Sequence, residues 1–202
     1  MNNSPDPFIV LVGGLSRSGK SSLVTEVVMH LKHDGVDSFV LPLDYWIVPT
    51  NLRNEGSSVL ERFRIGEAIY VLRKILNEGT HLVRPYDAVT GNESKHSIQL
   101  HAGPTTRVVI IEGVVALVDP RFLEIADYAV YVQVDRFTRL RRLIKYHRDV
   151  KNLPRSTYLG IIRQREIEEV PTIALTRALA NLIVADKDAK VVSQELIKRV
   201  KF

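Results

Sequence analysis

Eight residues constrain this chain more than any others: Gly14-Leu15-Ser16-Arg17-Ser18-Gly19-Lys20-Ser21, two glycines flanking four residues, then lysine and serine. This is the P-loop pattern. Before it, Phe8 to Val12 is an apolar, β-branched run that reads as a buried strand. After it, Leu23, Val24, Val27, Val28 and Leu31 recur at helical spacing, and the helix they predict closes at Lys32, His33, Asp34 and Gly35. A loop between a buried strand and a helix N-terminus suits a polyphosphate. The glycines let successive N–H groups turn inward without side chains crowding the oxygens, and the helix end adds unpaired donors. Lys20 can reach the terminal phosphates and the Ser21 hydroxyl can ligate Mg²⁺, with Ser16, Ser18 and Ser22 in the same cradle. The alternative, a glycine-rich turn without a ligand, leaves this strand-to-helix context unexplained.

The chain has 202 residues, 45% apolar and 25% charged, the length and balance of one globular domain spanning 1–202, with 1–7 as a loose N-terminal stretch. Its apolar runs, such as Val108 to Ile111, are too short to cross a bilayer, and no export signal is visible. With no cysteine, disulfides and thiolate metal sites are excluded, which fits a cytoplasmic location. The net charge of +5 raises a nucleic-acid partner. The basic residues concentrate between Arg136 and Arg155, however, and a local cluster suits a nucleotide's phosphates as well as a nucleic-acid backbone; the P-loop that precedes it favours the nucleotide, and a solvated basic helix is the third option.

Ser38 to Leu43 reads as a second buried strand, Arg107 to Ile111 as a third and Tyr128 to Val134 as a fourth, with a short last strand at Leu182 to Val184. Between them, Ile47 to Gly56 is a polar loop. A helix is expected from Ser58, where Glu61 completes a capping box, to Gly79; His81 to Gly103 suggests a hairpin; Asp135 caps the basic helix; and Val191 to Val200 closes the chain. Strands alternating with helices predict an α/β fold around a parallel sheet. Asp44 and Glu112 each follow an apolar strand, the place where functional groups gather in such sheets. Asp44 is placed to accept a hydroxyl proton and Glu112 to hold the Mg²⁺ shell; a helix cap or surface ion pair is the alternative for each. No Asn-Lys-x-Asp guanine-reading segment is present, Ala185-Asp186-Lys187-Asp188 being nearest, and the chain is short for a motor ATPase.

Gly14 to Ser22, Asp44-Tyr45-Trp46, Arg84-Pro85-Tyr86-Asp87, Ile110-Ile111-Glu112-Gly113, Arg139-Leu140-Arg141-Arg142 and Arg148-Asp149 together resemble the uridine kinase and phosphoribulokinase group of P-loop kinases, over Val10 to about Asp186. The resemblance implies a three-layer P-loop fold with a five-stranded parallel sheet, a small β-hairpin arm and an arginine-rich lid at about 148–156. It implies transfer of the γ-phosphate of ATP, with Mg²⁺, to a hydroxyl of a small molecule. By the same likeness Asp44 is the base, Lys20 and Arg148 act on the transferring group, Arg142 holds nucleotide, and Asp44, Tyr45, Trp46, Tyr86 and Arg148 meet the acceptor. Trp46 can equally close the core, and Tyr86 can be structural. Glu166, Glu168 and Glu169 are expected in solvent, with a weak latch to lid arginines as their other use. The stretch Tyr86 to Glu93 lacks the histidine and arginine of uridine kinases, which points to a uridine kinase-like enzyme with another acceptor. A nucleotide-binding regulatory protein and a nucleic-acid-dependent ATPase are the competing readings. The group often assembles, so a homo-oligomer is compatible.

Overall fold

The strands are apolar on both faces because each face meets its own layer of helices. In the computed structural model, which describes residues 6–200, the chain runs β1 (Phe8–Gly13), α1 (Lys20–His33), β2 (Ser38–Pro42), α2 (Ile65–Glu78), β3 (Thr80–Val83), β4 (Tyr86–Asp87), β5 (Asn92–Glu93), β6 (Ile98–His101), β7 (Val108–Glu112), α3 (Pro120–Ile125), β8 (Tyr128–Val132), α4 (Arg136–Lys145), α5 (Arg155–Leu175), β9 (Leu182–Val184) and α6 (Ala189–Val200). Five strands form a parallel sheet in the order β2-β7-β1-β8-β9. Along β1, β7 and β8, Val10, Val12, Val108, Ile110, Val130 and Val132 face α1 and α6, where they pack with Leu23, Val27, Val192 and Leu196. The intervening Leu11, Val109, Ile111 and Ala129 face α2 and α3, with Ala68, Leu72, Ile75 and Phe122. Each fully buried aliphatic side chain contributes roughly 1.5–3 kcal/mol, so the period-two alternation fixes the register strongly. Among the described residues no helix is long and apolar enough to cross a membrane.

Register brings the site together. Glu112 pairs with Val12 on one side and Pro42 on the other, so the P-loop, Glu112 and the turn carrying Asp44 leave adjacent strand ends. With strands about 4.8 Å apart, three distant stretches of sequence converge at the carboxyl edge of the sheet.

Several boundaries differ from expectation. The second strand stops at Pro42, and Leu43–Trp46 forms a single 3₁₀ turn. The fourth stops at Val132. The capping box at Ser58 forms, with Ser58 N–H donating to Glu61 at 2.7 Å and Glu61 N–H to the Ser58 hydroxyl at 3.3 Å, but the helix does not continue from it. Phe63 is extended and bridges Ile47, Arg64 N–H donates to the Trp46 carbonyl at 2.8 Å, and α2 begins only at Ile65. The suggested hairpin is present as an arm: β3 pairs with β6 and, beyond Arg84-Pro85, β4 pairs with β5. Of the loose stretch 1–7, only Asp6 and Pro7 lie within the described residues.

Candidate active site

The P-loop conformation depends on its two glycines. Gly14 has φ 137° and Gly19 φ 98°, and a Cβ on Gly19 would lie 2.5 Å from the Asp186 side chain. Inside the loop the Ser16 and Ser18 hydroxyls are buried without hydrogen-bond partners. A polar cradle with orphaned hydroxyls fits phosphate oxygens. Lys20 is folded back over the loop, its Nζ donating to the carbonyls of Gly14 (3.1 Å) and Leu15 (3.0 Å). Arg17 occupies the left-handed region at φ 64°, an uncommon state for a non-glycine residue, and its guanidinium stacks 3.4 Å from the centre of the Tyr146 ring.

Beside the loop, the Ser21 hydroxyl donates to Glu112 Oε1 at 3.0 Å. Burial pushes the Glu112 carboxyl above its ordinary range; Lys20 opposes this and Asp44 adds to it. Asp44 is exposed to the cleft from its 3₁₀ turn. Its neighbours turn elsewhere. Tyr45 is half-buried, its phenol pushed up by burial and then by Glu112, and it does not line the cleft. Trp46 is 1% exposed and packs in the core under α2, so its side chain is not on the cleft surface where an acceptor could meet it. Tyr86 does line the cleft; its hydroxyl accepts from Arg53 at 3.3 Å. The residues that stand where uridine kinases have histidine and arginine serve the arm instead: Gly91 accepts from Thr50 N–H at 2.9 Å, and Glu93 pairs with Arg64 at 2.8 Å.

The far wall is α4, a π-type turn at Tyr146–Val150, and α5. Arg142 reaches the loop, pairing with Asp186 at 2.5 Å and donating to the Ser18 carbonyl at 3.3 Å. Arg148 points outward, exposed and paired with Asp149 at 2.5 Å, so the structure does not bring it to the cleft. The long helix α5 was not expected from the sequence, and its glutamates are not in solvent. Glu166 pairs with buried Arg139, Glu168 with Arg62, and Glu169, 7% exposed, accepts from the Ser16 N–H at 2.6 Å. Pairing or hydrogen bonding accounts for all three. These residues and Arg17 are the parts of the site that motif reading missed. The signal for Glu169 was its spacing from Tyr158, Ile162 and Ile173, a helical stripe with an acid in it.

The walls enclose a cleft of about 990 Å³. Of the expected residues, Ser16, Gly19, Lys20, Ser21, Ser22, Asp44, Tyr86, Glu112 and Arg142 line it; Gly14 and Ser18 shape the loop behind it. One cleft therefore joins the P-loop to Asp44 and the arm.

No protein-family model matches the chain. It is 29% identical over 193 residues to a uridine kinase of Oceanobacillus iheyensis, covering 89% of this chain and 87% of that one. It is 26% identical over 206 residues to the mouse uridine-cytidine kinase-like 1, covering 96% of this chain but spanning only 36% of the mouse protein. Among solved structures, a Silicibacter protein assigned as a fructose transport system kinase superposes with a TM-score of 0.70 at 19% identity, covering 90% of this chain and 91% of that one. Phosphoribulokinase of Rhodobacter spheroides gives 0.60 at 18% identity, covering 88% and 69%. The structural likenesses show the shared P-loop fold. In sequence the chain is similar to uridine kinases, and in fold to P-loop kinases of the uridine kinase and phosphoribulokinase kind.

Proposed function

We propose that this chain acts as one kinase domain that transfers the γ-phosphate of ATP to a hydroxyl group of a nucleoside or sugar-like metabolite. The observation that carries the reading is the Ser21–Glu112 hydrogen bond, set between the P-loop and Asp44 by strand register. A hydroxyl and a buried, destabilised carboxylate side by side are a donor set suited to a hard cation. Ser21 and Glu112 would hold Mg²⁺, directly or through water, with phosphate oxygens completing its shell. Bound there, Mg²⁺ would neutralise charge on the transferring phosphoryl group.

The remaining steps belong to the chain's own side chains. Lys20 exchanges its loop carbonyls for phosphate oxygens, and Arg142 supports the loop from α4. Asp44 accepts the acceptor's hydroxyl proton as that oxygen bonds to the γ-phosphorus, while the bond to the bridging oxygen of ADP breaks. Closure of the α4–α5 wall excludes water that would otherwise take the phosphoryl group.

The test is acceptor-dependent ADP release over a panel of nucleosides, sugars and their phosphates, with Asp44→Asn alongside. Turnover in the variant is expected to fall by roughly two to four orders of magnitude with ATP affinity retained. Equal turnover in both proteins would remove Asp44 as base, and ATP binding without transfer to any acceptor would favour a regulatory nucleotide-binding protein. The nucleic-acid-dependent ATPase draws less support. Arg139, Arg142 and Arg148 are each paired with a carboxylate rather than aligned as an open basic stripe.

A further inference from the structure

The cleft holds more positive charge opposite Asp44 than a neutral hydroxyl compound calls for. Of the cations that line it, Arg62 and Arg142 have carboxylate partners, whereas Arg17, Lys20, Arg53, Lys145, Lys151 and Arg165 have no ion pair among the described residues. Arg17 and Lys151 meet at Tyr146, the Arg17 guanidinium 3.4 Å and the Lys151 ammonium 5.9 Å from its ring centre, and Arg165 lines the same cleft. Beside Tyr146, with ring centres 5.3 Å apart, His147 is 1% exposed and has both ring nitrogens buried without a hydrogen-bond partner. Burial, then Arg165, Lys151 and Arg17, hold that imidazole neutral, its pKa pushed down to about 4.

Like charges gathered in a partly buried wall without an ion-pair partner repel one another, and a bound anion relieves the repulsion. The nucleotide has its own phosphate groups to meet on the loop, through Lys20 and the backbone. The Tyr146 cluster shares its cleft with Asp44 and with Tyr86 on the arm, where the other ligand is proposed, and the electrostatics agree: Asp44 acts to raise the Arg17 pKa and Tyr86 that of Tyr146. All of these side chains line the one cleft.

We infer that the acceptor is itself an anion, carrying a phosphate monoester or carboxylate besides the hydroxyl to be phosphorylated, and that Arg165 and Lys151, with Arg17, hold this group over Tyr146. The inference rests on the kinase reading and narrows it: neutral nucleosides and sugars become poor acceptors. A charge-assisted hydrogen bond to each cation sets the distance between the anion and the reacting hydroxyl, which selects chain length as well as charge.

The experiment compares sugar phosphates, hydroxycarboxylates and their neutral counterparts as acceptors for the wild type, Arg165→Gln, Lys151→Gln and Arg165→Lys. Expected is turnover with one anionic class, an acceptor KM raised about tenfold or more in each Gln variant with ATP KM unchanged, and partial recovery in Arg165→Lys. Whichever anionic class works separates phosphate from carboxylate. Neutral acceptors matching anionic ones, or a rise confined to ATP KM, would overturn the inference. In parallel, calorimetry follows inorganic phosphate binding to protein saturated with Mg²⁺ and a non-hydrolysable ATP analogue. Binding in the wild type that is lost in Arg165→Gln supports the subsite even if no acceptor in the panel turns over, and no binding overturns it. ATP binding without transfer to any acceptor would instead strike at the kinase reading, and the phosphate titration would still decide the anion subsite.

Discussion

Asp44 and Trp46 sit two residues apart in one 3₁₀ turn, one open to the cleft and the other sealed in the core. The sequence offered both as acceptor contacts, because a motif records adjacency along the chain and not the direction in which a side chain leaves a turn. Trp46→Ala is expected to cost about 3–5 kcal/mol, read as a fall in Tm, whereas Trp46→Phe should keep acceptor KM within about twofold. A KM effect as large as the stability effect would return Trp46 to the binding surface. His147 provides a second residue-scale check. Its folded pKa of about 4 lies below the ordinary 6.5, so the folded state prefers the neutral ring. The stability this gives is complete above pH 6.5 and is lost as pH falls towards 4. Tm should therefore drop over that interval in the wild type, and less steeply in His147→Asn.

At the scale of elements, α4 and α5 are held together by a small cluster of their own, Leu143, Tyr158 and Ile162, separate from the two cores that flank the sheet. Leu143→Ala is expected to loosen this wall locally: hydrogen exchange should speed up in α4 and α5 while the protection of β1 and β7 is unchanged. Loss of protection throughout would show that the wall is integral to the core. The same separation explains what was legible. The strands of the sheet and α1 were readable because their apolar residues repeat with the period of the element. The long α5 was not, since it buries only Tyr158, Ile162, Glu169 and Ile173 along its 21 residues and carries Pro171 inside it. A glutamate in a buried stripe reads as solvent until the partner N–H, 153 positions away in sequence, is known. At Ser58 the local signal was correct and lost to a tertiary one: the capping box formed, yet the Phe63–Ile47 bridge and the Arg64–Trp46 hydrogen bond broke the helix before Ile65. That break shapes the cleft wall, because Val59, Arg62 and Phe63 line it.

For the whole molecule, the sheet places the phosphate cradle and Asp44 on a rigid edge, while the arm and the α4–α5 wall close over them from two sides. The wall makes a direct contact with the cradle through Glu169 and the N–H of Ser16. A carboxylate of the protein thus sits against a backbone N–H of the loop proposed to hold phosphate. On the proposed reading, nucleotide uptake is expected to be an exchange rather than a filling, the Glu169 carboxylate leaving the Ser16 N–H as phosphate takes its place. Such an exchange has a kinetic signature: the observed association rate should level off as nucleotide concentration rises, at the rate with which α5 lets go. Glu169→Gln, which keeps the shape and discards the charge, should raise that ceiling. A rate that climbs linearly to high concentration in the wild type would mean that the two anions are accommodated together.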